Sequence, residues 1–142
     1  MKTLSSSLKL AALVAMIFSF SQAFAGSGSK QAKADVVGML FYADWCGSCQ
    51  ILDPKIETAE KAFSGKPITF TKLDLTDSKT RAKAEKNSKK LGMESVFAEH
   101  GKKTGFFLLV DAESKEVISK ITREYTEDQI KSEIKSALKA KA

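Results

Sequence analysis

Val36-Val37-Gly38-Met39-Leu40-Phe41-Tyr42-Ala43-Asp44-Trp45-Cys46-Gly47-Ser48-Cys49 sets the architecture of this chain. Val36 to Tyr42 is a nearly unbroken apolar run with β-branched and aromatic members, the pattern of a strand buried on both faces. Beyond the cysteines the period changes. Leu52, Ile56, Ala59 and Phe63 fall at i, i+4, i+7 and i+11, one stripe of an amphipathic helix. The two cysteines therefore stand where a buried strand hands over to a helix. Pro54 lies inside the stripe and predicts a kink, and Ser64-Gly65-Lys66-Pro67 stops the helix.

Downstream, Ile68 to Leu75 reads as a second strand, with Thr69 and Thr71 alternating against Ile68 and Phe70. Asp77 to Leu91 is rich in Lys and Ala and free of Pro and Gly, which predicts a helix. Gly92 interrupts it, and Met93 to His100 predicts a further short helix, with Met93 and Phe97 covering core. Gly105 to Val110 is a third, strongly apolar strand. Asp111-Ala112-Glu113-Ser114 predicts a turn and Val117 to Ile121 an antiparallel return. Thr126 and Gln129 form a capping-box pattern, followed by the stripe Ile130, Ile134, Ala137 and Leu138. The order strand, helix, strand, helix, strand, strand, helix implies one α/β domain over 36–142. Its sheet would combine a parallel pair with an antiparallel hairpin, and helices would lie on both faces.

The N-terminal residues follow a different grammar. A short basic segment with Lys2 and Lys9 precedes the apolar run Leu10 to Phe20, and Ala23-Phe24-Ala25 supplies the small residues of a cleavage site. Residues 1–25 are thus expected to be a secretory signal peptide. Residues 26–35 form a small, polar, flexible lead-in. The apolar run is short against the ~20 residues that span a bilayer, so no stable membrane insertion is expected after cleavage. The expected location is periplasmic, or otherwise exported.

Composition narrows the classes. Hydrophobic residues at 43% and charged residues at 28% are ordinary globular proportions, which argues against disorder. Without Lys2 and Lys9 the net charge falls from +6 to +4. Much of the lysine lies on the faces Lys79–Lys90 and Lys131–Lys141, with no aromatic or arginine-rich reading surface beside it. No nucleic-acid partner is expected.

Cys46 and Cys49 are the only cysteines. A bridge across two intervening residues constrains little in the unfolded chain, so it contributes little to stability. Zinc takes about four ligands, and two thiols with His100 do not supply them, so no metal site is expected. Reactivity is the better reading. At a helix start, free backbone N–H groups and the helix dipole favour an anion, and the thiolate is the attacking form of cysteine. Cys46 is the expected exposed nucleophile. Cys49, one turn deeper on the same side, is the expected resolving thiol. Gly47 permits close approach by a partner chain, and Ser48 offers a hydroxyl without bulk. No cofactor is needed beyond a reversible Cys46–Cys49 disulfide.

Phe41-Tyr42-Ala43-Asp44-Trp45-Cys46-Gly47-Ser48-Cys49 resembles the active-site segment of the thioredoxin superfamily, and Pro54 matches that family's helix proline. The closest flavour is the exported bacterial thioredoxin-like domain. The resemblance implies a thioredoxin-like fold, with a mixed sheet of about four strands flanked by helices, and disulfide exchange with exported protein thiols or disulfides. A membrane electron donor or acceptor is also expected. The departures are specific. The usual N-terminal strand and helix are lacking, and Lys79–His100 forms an enlarged helical insertion before the third strand. The family's buried acid corresponds to Leu40, which leaves its lysine partner, matched to Lys72, without a companion. The family's cis-proline is missing, and counting back from the third strand places that substrate loop near Thr104.

Other assignments remain open at this level. Trp45 either shields the cysteines and meets partners or simply packs, while Asp44 and His100 read as solvated surface residues. The Cys46–Cys49 direction is expected to be reducing or intermediate, because the Gly-Ser dipeptide lacks the histidine of strongly oxidising relatives and the proline of strongly reducing ones. The alternative is a binding protein of the same fold, for a soft metal or a protein partner, without redox turnover.

Overall fold

The computed structural model describes residues 33–142. The expected signal peptide and most of the lead-in lie outside the described residues. Strand β1 (Val36–Tyr42) occupies the middle of a four-stranded sheet of order β2-β1-β3-β4, with β2 at Ile68–Asp74, β3 at Phe106–Asp111 and β4 at Val117–Thr122. β1 pairs parallel with β2 from Val36↔Ile68 to Tyr42↔Asp74, and antiparallel with β3 from Val36↔Asp111 to Phe41↔Phe106. β3 and β4 form the antiparallel hairpin, with a register shift between Leu109 and Val110. The first element among the described residues is β1, and the sheet is mixed, as the sequence pattern predicts.

The apolar character of β1 and β3 follows from burial on both faces. Val36 and Leu40 of β1, with Phe107 and Leu109 of β3, pack under α1 (Gly47–Ala62) and α4 (Glu127–Lys141). Val37, Met39 and Phe41, with Phe106, Leu108 and Val110, face α2 (Ser78–Lys90) and α3 (Glu94–His100). Side-chain alternation thus splits one sheet between two cores. Gly38 belongs to the α1 side, where the Phe107 ring fills the space a Cβ would take. The predicted stripe on α1 is seated as expected, with Leu52, Ile56 and Ala59 buried, and the helix continues as one element through Pro54.

The expected insertion resolves into two helices. Leu91 caps α2, and Gly92, at φ +68°, turns the chain through the left-handed conformation that closes a helix. Met93 and Phe97 are buried as core, the role their spacing predicts. α2 begins with a capping box absent from the sequence reading. The Asp77 carboxylate accepts from Lys79 and Thr80 N–H at 2.8 Å, and Thr80 Oγ1 accepts from Asp77 N–H at 3.1 Å. The box predicted for α4 is present. Thr126 N–H donates to Gln129 Oε1 at 2.8 Å, and Gln129 N–H donates to Thr126 Oγ1 at 3.2 Å.

The last turn of α4 is tied to the sheet by Lys141, whose ammonium lies 2.7 Å from Asp111 Oδ2 at the end of β3. The Lys141 hydrogen bond, helped by the Ser114 and Glu113 backbone N–H groups, holds the Asp111 carboxyl down at about 2. A carboxylate depressed on folding stabilises the native state above its unfolded value of 3.8 and loses that contribution as pH falls toward 2. Asp111→Asn is therefore expected to lower the melting temperature at pH 7 and to make little difference near pH 2. Thermal melts of both proteins across that range check the sign.

Candidate active site

β1, a central strand, ends at Tyr42, and α1 begins almost at once at Gly47. Ala43 is fully buried, and Cys46 N–H donates to Ala43 O at 3.1 Å, which forms the tight turn between strand and helix. Cys46 is itself the N-cap, at φ −94° and ψ 104°, and its sulfur accepts from Cys49 N–H at 3.3 Å. A sulfur thus occupies the place that a serine or aspartate oxygen commonly takes. No acidic residue stands in the first turn of α1. The positive end of the helix dipole is left for the sulfur, where a negative charge is favoured.

The two cysteines are joined as a disulfide with their Cα atoms 5.3 Å apart. Their surroundings differ. Cys46 is half-buried, whereas Cys49 is fully buried with its sulfur 3.7 Å from the Phe41 carbonyl oxygen. The structure therefore brings together both predicted sulfurs at the predicted helix start, one reachable and one shielded. Gly47 faces open space, while Ser48 turns inward toward a neighbouring loop.

In that neighbouring loop, just before β3 starts at Phe106, Gly105 lies against the disulfide, one residue beyond the expected Thr104. Gly105 adopts φ +90°, and a Cβ there would lie 3.1 Å from Ser48 Cβ and 3.4 Å from Cys46 Sγ. Its N–H donates to Phe41 O at 2.9 Å, the same carbonyl that faces Cys49 Sγ. Only a residue with no side chain and a free amide hydrogen satisfies both contacts. The signal available in the sequence was a glycine at a strand edge, which marks close approach of another backbone.

Trp45 is 68% exposed, so simple packing does not describe it. Its indole N–H donates to Thr76 O at 3.2 Å, and Asp44 N–H donates to Thr76 Oγ1 at 3.0 Å. Thr76 was not anticipated from the sequence. His100 is also corrected. Rather than standing free on the surface, its ring meets Phe41 and Phe106 edge-on at 6.4 and 6.3 Å, because α3 presses its last turn against the sheet.

Lys72 has a companion after all. Leu40 is its register partner on β1 and offers no charge, but Asp53, one turn beyond Cys49 on α1, reaches across to place Oδ2 2.5 Å from Lys72 Nζ. Burial alone would push the Lys72 ammonium down, and the Asp53 carboxylate overrides it and holds the group above its ordinary value. The same ammonium sits 4.0 Å over the Tyr42 ring. The hydrogen bond to Asp44 raises the Tyr42 phenol in turn.

The thioredoxin family model matches residues 20–90, half of the chain. The chain belongs to the thioredoxin family. Among curated relatives, protein disulfide-isomerase A4 of Mus musculus is 42% identical over 52 residues, covering 35% of this chain and 8% of that protein. Protein disulfide-isomerase of Zea mays is 46% identical over 48 residues, covering 32% and 9%. The chain spans less than a tenth of the length of these relatives. Among solved structures, a thiol:disulfide interchange protein of the thioredoxin family from Chlorobium tepidum TLS superposes with a TM-score of 0.53 at 20% identity. It covers 75% of this chain and 82% of its own. The thioredoxin domain of a thiol-disulfide oxidoreductase from Bacteroides vulgatus gives 0.50 at 19% identity, covering 75% and 81%. These two share the fold.

Gly105 lies one residue after Thr104, near which the resemblance places a proline, and its amide hydrogen is used. Gly105→Ala would crowd Ser48 Cβ and lay a methyl group against Cys46 Sγ, in a backbone conformation that L residues rarely adopt. It is expected to destabilise the fold by about 1–3 kcal/mol, the usual cost of such strain, and to slow exchange at Cys46. Urea unfolding and the rate of reaction with a small disulfide measure the two effects separately.

Proposed function

We propose that this chain is an exported thiol–disulfide oxidoreductase that exchanges disulfides with protein partners through Cys46 and Cys49. The observation that carries the reading is the asymmetry of the pair. One sulfur caps a helix and reaches solvent, and the other is sealed one turn deeper. In the reducing direction the Cys46 thiolate attacks a partner disulfide, forms a mixed disulfide and releases one partner sulfur as a thiolate, which takes up a proton. The Cys49 thiol then gives up its proton and attacks Cys46 Sγ. The second partner thiolate leaves, and the Cys46–Cys49 bond closes. Two electrons pass from the protein to the partner, and a dithiol donor must return them.

The Phe41 carbonyl, 3.7 Å from Cys49 Sγ, is the acceptor toward which the resting Cys49 thiol would point its proton. Withdrawal of that proton is the step that commits the mixed disulfide to resolution. Periplasmic location, a reducing or intermediate direction and a membrane electron partner belong to the same proposal. They are supported by the composition of residues 1–25 and by the Gly-Ser dipeptide between the cysteines.

Separate Cys46→Ser and Cys49→Ser variants test the proposal. Cys49→Ser is expected to accumulate partners as mixed disulfides that dithiothreitol releases, and Cys46→Ser to accumulate none. Equal trapping by both, or none by either together with no reduction of insulin by the unaltered protein, would contradict exchange. The second outcome would favour a binding module of the same fold.

A further inference from the structure

Three lysines line an apolar cleft at the end of α1 remote from Cys46. The cleft, about 490 Å³, opens between the C-terminus of α1 and α4. Ala62 and Phe63 line it from α1, Lys66 from the turn that follows, and Lys131, Lys135 and Leu138 from α4. Positions 131, 135 and 138 fall at i, i+4 and i+7, one stripe of α4 beside the buried stripe of Ile130, Ile134 and Ala137. α1 is 16 residues long and starts at the Cys46 cap. At about 1.5 Å per residue its far end lies roughly 24 Å along the helix from that cap.

Every charged side chain in the lining is positive. Among the described residues none of these lysines joins an ion pair, and Glu127, one turn before Lys131, makes none with it. The nearest acids of α1, Glu57 and Glu60, line a separate cleft against β2. Like charges one helical turn apart repel, and Lys131 and Lys135 are such a pair. A bound anion relieves that repulsion. Phe63 belongs to the α1-side core and Leu138 packs against it, so the surface between the lysines is apolar.

We propose that this cleft binds a free long-chain carboxylate, its alkyl chain on Ala62, Phe63 and Leu138 and its head among Lys66, Lys131 and Lys135. Two features select that class. A purely ionic ligand would leave the apolar floor to water, whereas an alkyl chain covers it, each buried methylene tightening binding about fourfold. The size also fits, since small-molecule pockets run to about 300–1,000 Å³. Six lining residues fall well short of the roughly 20–30 a side that a stable protein interface uses. The site does not depend on exchange at Cys46.

The test titrates sodium dodecanoate into the protein by calorimetry and follows the backbone amides by NMR. A single molecule is expected to bind, about tenfold or more tighter than octanoate, with shifts centred on Phe63, Lys66 and Leu138. The double variant Lys131→Gln, Lys135→Gln is expected to weaken binding about tenfold, the size of two partly exposed charge contacts. Dodecyltrimethylammonium, with the same chain and the opposite charge, is expected to bind more weakly by about the same factor. Ala62→Trp, at an exposed position, fills the cleft and is expected to abolish binding. Should that variant fail to fold, the lysine variant and the head-charge comparison decide. Dodecanoate that never saturates, or binding indifferent to the lysines, to Ala62→Trp or to head charge, would overturn the proposal. Uptake onto anionic phospholipid vesicles without dodecanoate binding would also overturn it and assign the lysines to a membrane surface. A protein that binds dodecanoate but reduces no insulin would uphold this site and contradict exchange alone.

Discussion

The sulfur of Cys46 accepts a backbone N–H at the first turn of α1, and the surrounding architecture exists to keep it there. A helix start offers unpaired N–H groups and a partial positive charge, both strongest within the first turn and both weakened by water. To exploit them, the chain must deliver a cysteine to that turn from a rigid support. β1 is that support. It is hydrogen-bonded on both sides and buried on both faces, and it ends within four residues of Cys46.

Rigidity on one side would not suffice, because the deeper sulfur also has to be enclosed. Phe41 links the two requirements. Its ring stacks on Phe106 at 4.8 Å in the α2–α3 core, while its carbonyl faces Cys49 Sγ and accepts the Gly105 amide. Gly105 then closes the other side of Cys46. Cys49 is thereby enclosed by backbone and apolar atoms, whereas Cys46 remains reachable past Gly47. The Asp53–Lys72 pair lies on the α1 side of the sheet and supplies charge near α1 without placing an acid on β1.

Much of this was legible in the residues because it is local. A strand buried on both faces reads as an apolar run, as β1 and β3 do. A helix packed on one face reads as a 3.6-residue stripe, as α1 and α4 do, and the Thr126–Gln129 box is a contact three residues long. What escaped was long-range. Gly105 meets Cys46 only because β1 and β3 are neighbours, and Asp53 meets Lys72 only because α1 crosses toward β2. Thr76 reads as an ordinary loop residue until the end of β2 is seen beside the Asp44–Trp45 turn. Periodicity records which face a residue occupies, not which distant backbone comes to meet it. Gly105 was accordingly passed over beside Thr104, and Lys72 was left without its partner.

The account's central claim is that helix capping makes one sulfur reactive while burial silences the other. The most direct measurement is the rate of iodoacetamide labelling of the reduced protein against pH, with the modified residue located by mass. Labelling of Cys46 alone, half-maximal clearly below the ~8.5 of an ordinary cysteine, is the predicted result. Labelling of Cys49 at a comparable rate, or a Cys46 profile at or above that ordinary value, would contradict it.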